Sequence, residues 1–167
     1  CFNLLTKFHA PTRGKIIYND IDITTERPPQ IARRGLIRSF QISAVFPHMT
    51  VLENVRVALQ RKLGTSFHFW KSEKSLDKLN GRAMELLESV DLGSFADTQT
   101  VDLPYGRKRA LEIATTLALE PEMMLLDEPT QGMSPSETAE IDVLIKSLAG
   151  RVTVLLIEHD IDLVMSL

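Results

Sequence analysis

Three short segments place polar residues where chemistry is possible. Asp127 and Glu128 directly follow the apolar run Met123-Met124-Leu125-Leu126, and Glu158-His159-Asp160 directly follows a second run, Val152–Ile157. Gln41 follows a third, Leu36–Phe40. In open parallel sheets, ligands collect at the carboxyl ends of strands. Side chains alternate along an extended chain, so two adjacent acids suit different roles, one holding a metal through water and the other polarising an attacking water. Taken by itself, Asp127-Glu128-Pro129 reads equally well as a polar turn after a strand. His159, on the neighbouring strand end, suits donation to a phosphate oxygen near neutral pH; without the acids beside it, it reads as a solvated histidine. The Gln41 amide oxygen suits a water or a magnesium ion, although a surface glutamine alone carries no signal.

These residues need a particular scaffold. The two C-terminal runs are continuous in apolar residues apart from Thr153, which fits strands of a parallel sheet buried on both faces. Between them the sequence codes for a helix: Ser134 as cap, Pro135 at the first position, Glu137 completing a capping box, and Ile141, Leu144, Ile145 and Leu148 as core stripe. Strand, helix and strand at this spacing predict a right-handed βαβ unit. Upstream, Gly14–Tyr18 reads as a strand, and Pro28-Pro29 opens a helix through Arg34 that Gly35 stops. Thr50 with Glu53 predicts another capping box, followed by the apolar face Val51, Leu52, Val55 and Leu59. Residues 61–71 lack a period and read as a loop. Leu76, Leu79, Ala83, Leu86, Leu87 and Val90 predict an amphipathic helix, and Gly106–Ala118 a further one. The expected organisation is one domain over 1–167, with α/β pieces at 1–41 and 119–167 around a helical segment at 42–118.

Bulk properties narrow the classes. At 167 residues, 44% hydrophobic and 25% charged, the chain suits one domain with a real core. A formal charge of −3 gives no sign of nucleic-acid binding. The single cysteine, Cys1, cannot form an internal disulfide, and a reducing compartment is the default. No apolar run approaches the roughly 18 residues a membrane span needs, so any membrane role passes through a partner. Phe2-Asn3-Leu4-Leu5 reads as the middle of an apolar element and Asp162–Leu167 stops inside a helical pattern; both ends are expected to be cuts through a larger protein.

Four segments together resemble a known family. Ser39-Phe40-Gln41, Leu103-Pro104-Tyr105-Gly106-Arg107, Met124-Leu125-Leu126-Asp127-Glu128-Pro129-Thr130 and Ile157-Glu158-His159-Asp160 look like the Q-loop, signature, Walker B and H-loop of ABC ATPases, in family order. Ile31–Gln41 followed by Val45–Val55, and Arg109–Ala114 after the signature, are especially similar to the branched-chain amino acid importers. The resemblance implies a P-loop NTPase core of RecA-like type, a mostly parallel sheet with an inserted α-helical subdomain. It implies that Asp127 holds Mg²⁺ with help from Gln41, that Glu128 is the general base for hydrolytic water, and that His159 contacts the γ-phosphate of ATP. Gln41 would link the metal site to a transmembrane permease. Backbone N–H groups of the Leu103–Arg107 signature, Gly106 among them, would grip ATP bound to a second ABC ATPase subunit in a head-to-tail dimer. A solute-binding protein would be an indirect partner, and the location would be peripheral, on the cytoplasmic face of the membrane. Phe46, Pro47 and Met49 suit docking to the permease and equally suit packing within the helical segment.

The sequence departs from the usual signature Leu-Ser-Gly-Gly-Gln. Pro104 replaces the serine and loses a backbone donor, Tyr105 replaces the first glycine, and Arg107 replaces the glutamine with a charge. Ser134 stands where the D-loop aspartate precedes proline. No Gly-x-x-x-x-Gly-Lys-Ser/Thr phosphate loop (Walker A) is present: before Gly14-Lys15 the first glycine position is His9, and the hydroxyl position is Ile16. The 167 residues alone are therefore expected to be inactive. Two other functions fit parts of the pattern, a non-catalytic regulatory nucleotide-binding module and an ABC ATPase of DNA repair or translation. The short stretch between Gln41 and Leu103 speaks against the repair type, which inserts long coiled coils there.

Overall fold

A computed structural model describes residues 1–39, 45–60 and 79–166. The central sheet is built from β3 (Leu36–Ser39), β4 (Met123–Asp127) and β5 (Thr153–Ile157), parallel and in the order β3-β4-β5. The register places Ser39 beside Leu126, and Asp127 beside Ile157. β4 lies in the middle, and Met124, Leu125 and Leu126 are fully buried, as a continuous apolar strand requires. β5 departs from the expectation of burial on both faces. It alternates, with Leu155 and Ile157 exposed and Val154 and Leu156 packed on the core. Among the described residues β5 is an edge strand, and α6 (Pro135–Ala149) supports one of its faces.

The two faces of β4 feed two clusters. Met124 and Leu126 join the large core with Leu111, Ile113, Ile145 and Leu148. Leu125 points the other way, into a small cluster with Phe2, Ile23, Ile31 and Leu36. That second cluster is capped by α1 (Phe2–Leu5), α2 (Pro28–Arg33) and an antiparallel hairpin of β1 (Ile17–Tyr18) and β2 (Ile21–Asp22). β1 is shorter than the Gly14–Tyr18 reading. Asn19 and Asp20 take left-handed φ of 48° and 61° at the turn, as a tight two-residue hairpin demands. Gly14-Lys15 leads into this hairpin rather than into a helix, so it has no phosphate-loop setting.

The remaining helices are α3 (Val51–Gln60), α4 (Asn80–Glu88), α5 (Tyr105–Leu117) and α7 (Ile161–Ser166), with 3₁₀ turns at Gly93–Phe95 and Thr100–Asp102. The Thr50–Glu53 box is formed: Thr50 N donates to Glu53 Oε2 at 2.7 Å and Glu53 N to Thr50 Oγ1 at 3.2 Å. Asn54 is buried and satisfied, accepting from Phe46 N at 2.7 Å and donating to Thr100 Oγ1 at 3.0 Å. One amide thereby ties the segment at Phe46 to the approach to α5. The start of the helix read from Leu76 and the loop at 61–71 lie outside the described residues.

Candidate functional site

β4 delivers Asp127 as its last residue, and Glu128 is anchored one step on by donation from its N–H to Ile157 O at 2.8 Å. Glu128 has a left-handed φ of 46°, which a non-glycine residue adopts at a cost of about 1–2 kcal/mol. The turn brings Glu128 Oε1 to 2.8 Å from His159 Nε2, with the Glu128 side chain 18% and the His159 side chain 84% exposed. The structure thus unites Asp127, Glu128 and His159 at the carboxyl end of the sheet. A carboxylate kept mostly from water, oriented by an imidazole that reaches solvent, is suited to take a proton from a bound water.

Neighbouring groups that the sequence reading did not single out hold this arrangement. Glu158 Oε1 accepts from Thr130 N at 3.2 Å and from Thr130 Oγ1, while Oε2 accepts from His159 N at 3.0 Å. It clips the loops after β4 and β5 together. Arg38 Nη2 donates to Asp127 Oδ2 at 2.5 Å, Nη1 donates to Asn3 Oδ1, and the guanidinium lies 5.7 Å from the centre of the Phe2 ring. Arg109 is buried, pairs with Glu112 at 2.5 Å, and reaches Asp127 O at 3.4 Å. A charge inside an apolar strand, Arg38, and a charged pair inside an otherwise apolar helix face, Arg109 and Glu112, were the available signals. Both remain ambiguous until the register is known.

The residues that resemble the signature, Leu103–Arg107, fall at the start of α5. Leu103 is buried, Pro104 is the cap residue without a side-chain cap, and Tyr105 is exposed. Arg107 stacks 4.3 Å from the Phe95 ring centre and donates to Asp91 O at 3.2 Å. Gly106 N donates to Glu137 Oε1 at 3.0 Å, so this amide, expected to grip phosphate, is here committed to a carboxylate within the chain. Ser134 caps α6 and donates through N and Oγ to Glu137 Oε2 at 3.0 and 2.8 Å. The Glu137 carboxyl is held below the usual range by Ser134 N–H, then by the Ser134 hydroxyl and by Gly106 N–H. Gln41 lies outside the described residues.

Among the described residues no three His, Cys, Asp or Glu side chains form a metal cluster. The Asp127 carboxylate, with one oxygen on Arg38, remains a hard oxygen donor at a strand end. This donor set fits Mg²⁺ held by one or two carboxylates, water and substrate phosphate, and does not fit an all-protein cage.

Comparison with known proteins adds identity to this geometry. The family model described as "ABC transporter" matches residues 1–131. The high-affinity branched-chain amino acid transport ATP-binding protein LivG of Escherichia coli (strain K12) is 42% identical over 99% of this chain and 68% of its own length. BraF of Pseudomonas aeruginosa, of the same description, is 40% identical over 99% of this chain and 68% of its own. A crystal structure of a nucleotide-free ATP-binding cassette from an ABC transporter superposes with TM-score 0.76 at 28% identity, covering 98% of this chain and 66% of that one. A dimeric post-hydrolysis cassette bound to ADP and Pi gives 0.73 at 26% identity, covering 96% of this chain and 69% of that one. The chain thus spans about two thirds of the length of these proteins. With these matches, and with the parallel sheet and acidic strand end in place, this chain belongs to the ABC transporter ATP-binding family.

Proposed function

We propose that this chain is the nucleotide-binding part of an ATP-hydrolysing subunit that energises solute import, with branched-chain amino acids as the solute class. The observation that carries the reading is Glu128, turned by its left-handed backbone onto His159 at 2.8 Å beside the last residue of the central strand. Glu128 takes the proton of the attacking water, and His159, mostly in solvent, contacts the γ-phosphate. Asp127, with Gln41, is the protein ligand for Mg²⁺, which when bound neutralises charge on the β- and γ-phosphate oxygens. Leu103, Pro104, Tyr105, Gly106 and Arg107 face the nucleotide of a second subunit in a head-to-tail dimer, and Ser134 occupies the D-loop position between them.

The division into core pieces at 1–41 and 119–167 and a helical segment at 42–118 belongs to the same reading. Among the described residues no helix is long and apolar enough to cross a membrane; the names of the transport relatives support attachment to permease subunits, which this reading places at the cytoplasmic face. Phe46 and Met49 stand exposed and suit that docking. The names of the relatives support import over a regulatory module or a repair or translation ATPase, and nothing in the charge of −3 favours nucleic acid. Because the 167 residues contain no Gly-x-x-x-x-Gly-Lys-Ser/Thr, they are expected not to turn over ATP by themselves. The test is Mg-ATP hydrolysis by the full-length protein, with and without Glu128→Gln. Turnover that survives the substitution at the wild-type rate removes Glu128 from the mechanism.

A further inference from the structure

Glu137 does more than its place in the sequence requires. A capping-box glutamate at the third helical position needs only to reach back to the cap residue. Here Oε2 does that, accepting from Ser134 N at 3.0 Å and Ser134 Oγ at 2.8 Å. The other oxygen leaves α6 altogether and accepts the N–H of Gly106, the second residue of α5, at 3.0 Å. One carboxylate therefore joins the first turns of two helices. The first turn of a helix presents N–H groups without intrahelical partners, and a carboxylate is the best acceptor for them. The fit is close. A Cβ added at Gly106 would lie 3.0 Å from Glu137 Cγ and 3.1 Å from Oε1, so any larger residue there would push the Glu137 side chain back by a few tenths of an ångström.

We propose that Glu137 is a positioning residue for ATP hydrolysis: it fixes the Gly106 amide relative to the Asp127–Ser134 segment, linking the start of α5 to the turn that carries the hydrolytic acid. The proposal rests on the function given above. α6 starts seven residues beyond Glu128, and Gly132, with φ of 79°, and Ser134 lie between. A displacement of the Asp127-Glu128 turn is passed through Ser134 to Glu137 and from there to Gly106. Neither α5 nor α6 needs to deform, because the link is made at their ends.

Two substitutions separate this role from simple helix capping. Glu137→Asp keeps the negative charge in the first turn of α6 but is one methylene too short to span Ser134 and Gly106. Glu137→Gln loses the charge and keeps the length: its one amide oxygen can accept from Gly106 N–H while its NH₂ donates to Ser134 Oγ, at the loss of the acceptor for Ser134 N–H. A capping role predicts that the aspartate is the milder change, and a positioning role predicts the glutamine. In the full-length protein, Glu137→Asp is expected to lower kcat for Mg-ATP about tenfold with KM moved less than about twofold, and Glu137→Gln to stay within about threefold of wild type. Glu26→Gln, which weakens the Glu26–Arg34 pair beside α2, serves as the stability control, with kcat unchanged. Wild-type kcat in Glu137→Asp, or equal impairment of the two variants, overturns the proposal. Amide exchange at Gly106 gives a second readout independent of turnover: faster exchange in Glu137→Asp than in Glu137→Gln supports the link, and equal rates in the two variants overturn it. A wild-type protein with no ATPase activity overturns the function instead, while the exchange comparison still reports on the link.

Discussion

Arg38 on β3 holds Asp127 at the end of β4, with Nη2 and Oδ2 2.5 Å apart and both side chains largely buried, at 13% and 17% exposed. The register explains the meeting. Arg38 pairs with Leu125, and Asp127 is two residues further along on the same face of the sheet. The acid proposed above to hold Mg²⁺ is therefore already compensated by a protein cation. Removing one member of such a pair strands the other in a poorly solvated place. Arg38→Met is expected to destabilise the full-length protein by about 2 kcal/mol, less than a fully buried pair would cost. Urea unfolding checks this, and adding Asp127→Asn to Arg38→Met should recover part of the loss. A double variant less stable than Arg38→Met by the full cost of Asp127→Asn alone would show that the two side chains are not coupled.

Glu128→Gln keeps the size of the side chain and an acceptor for His159 but cannot take a proton. It should lower kcat at least about a hundredfold, the scale of a general base, and leave nucleotide affinity within about threefold. ATPase assay with equilibrium binding of a fluorescent ATP analogue measures both. Parallel loss of binding and turnover would instead assign Glu128 to holding nucleotide.

Gly35 separates α2 from β3 with φ of 83°, and its carbonyl accepts from both Glu122 N and Met123 N at 3.0 Å. A Cβ there would come within 2.9 Å of Glu122 N. The obstacle is backbone, so it does not yield as a flexible side chain would. Gly35→Ala should cost about 2 kcal/mol through strain and through displacement of the entry into β4. Chemical denaturation reads the loss, and an unchanged midpoint would mean that the entry to β4 tolerates a shift.

Glu26 accepts from Arg34 Nε on both oxygens, at 3.0 and 2.8 Å. Arg34 donation, opposed by burial and aided by its charge, holds the Glu26 carboxyl below the ordinary glutamate value of 4.5. A depressed folded-state value means stabilisation that is complete above the unfolded value and fades as pH falls through the folded one. The Tm difference between wild type and Glu26→Gln should be constant near neutrality, shrink below about pH 4.5, and vanish in stronger acid. A gap that persists unchanged into acid would show that shape, and not charge, sustains the contact.

Much of the fold was legible because its signals are local. Apolar runs, capping boxes and the Gly35 stop depend on neighbours within four residues, and they located β4, α6, α3 and the end of α2. β5 departs from the doubly buried reading among the described residues, with Leu155 and Ile157 exposed, for the opposite reason. Whether Leu155 and Ile157 are covered depends on what lies beside the strand, and an apolar run reads the same at an edge as in the middle of a sheet.

The acidic pair and His159 were readable as a constellation because chain order placed them at the ends of adjacent strands. By itself the sequence determined the helix periods, the caps and the set of motifs, since those are written in short-range spacing. Only the tertiary structure decided that Arg38 faces Asp127, that Glu158 clips Thr130, and that Glu137 spends its second oxygen on Gly106, 31 residues away. Each of those contacts depends on strand register or on how two helix ends approach. Register and approach are fixed by packing of the whole core, with Leu125 on one face of β4 and Met124 and Leu126 on the other.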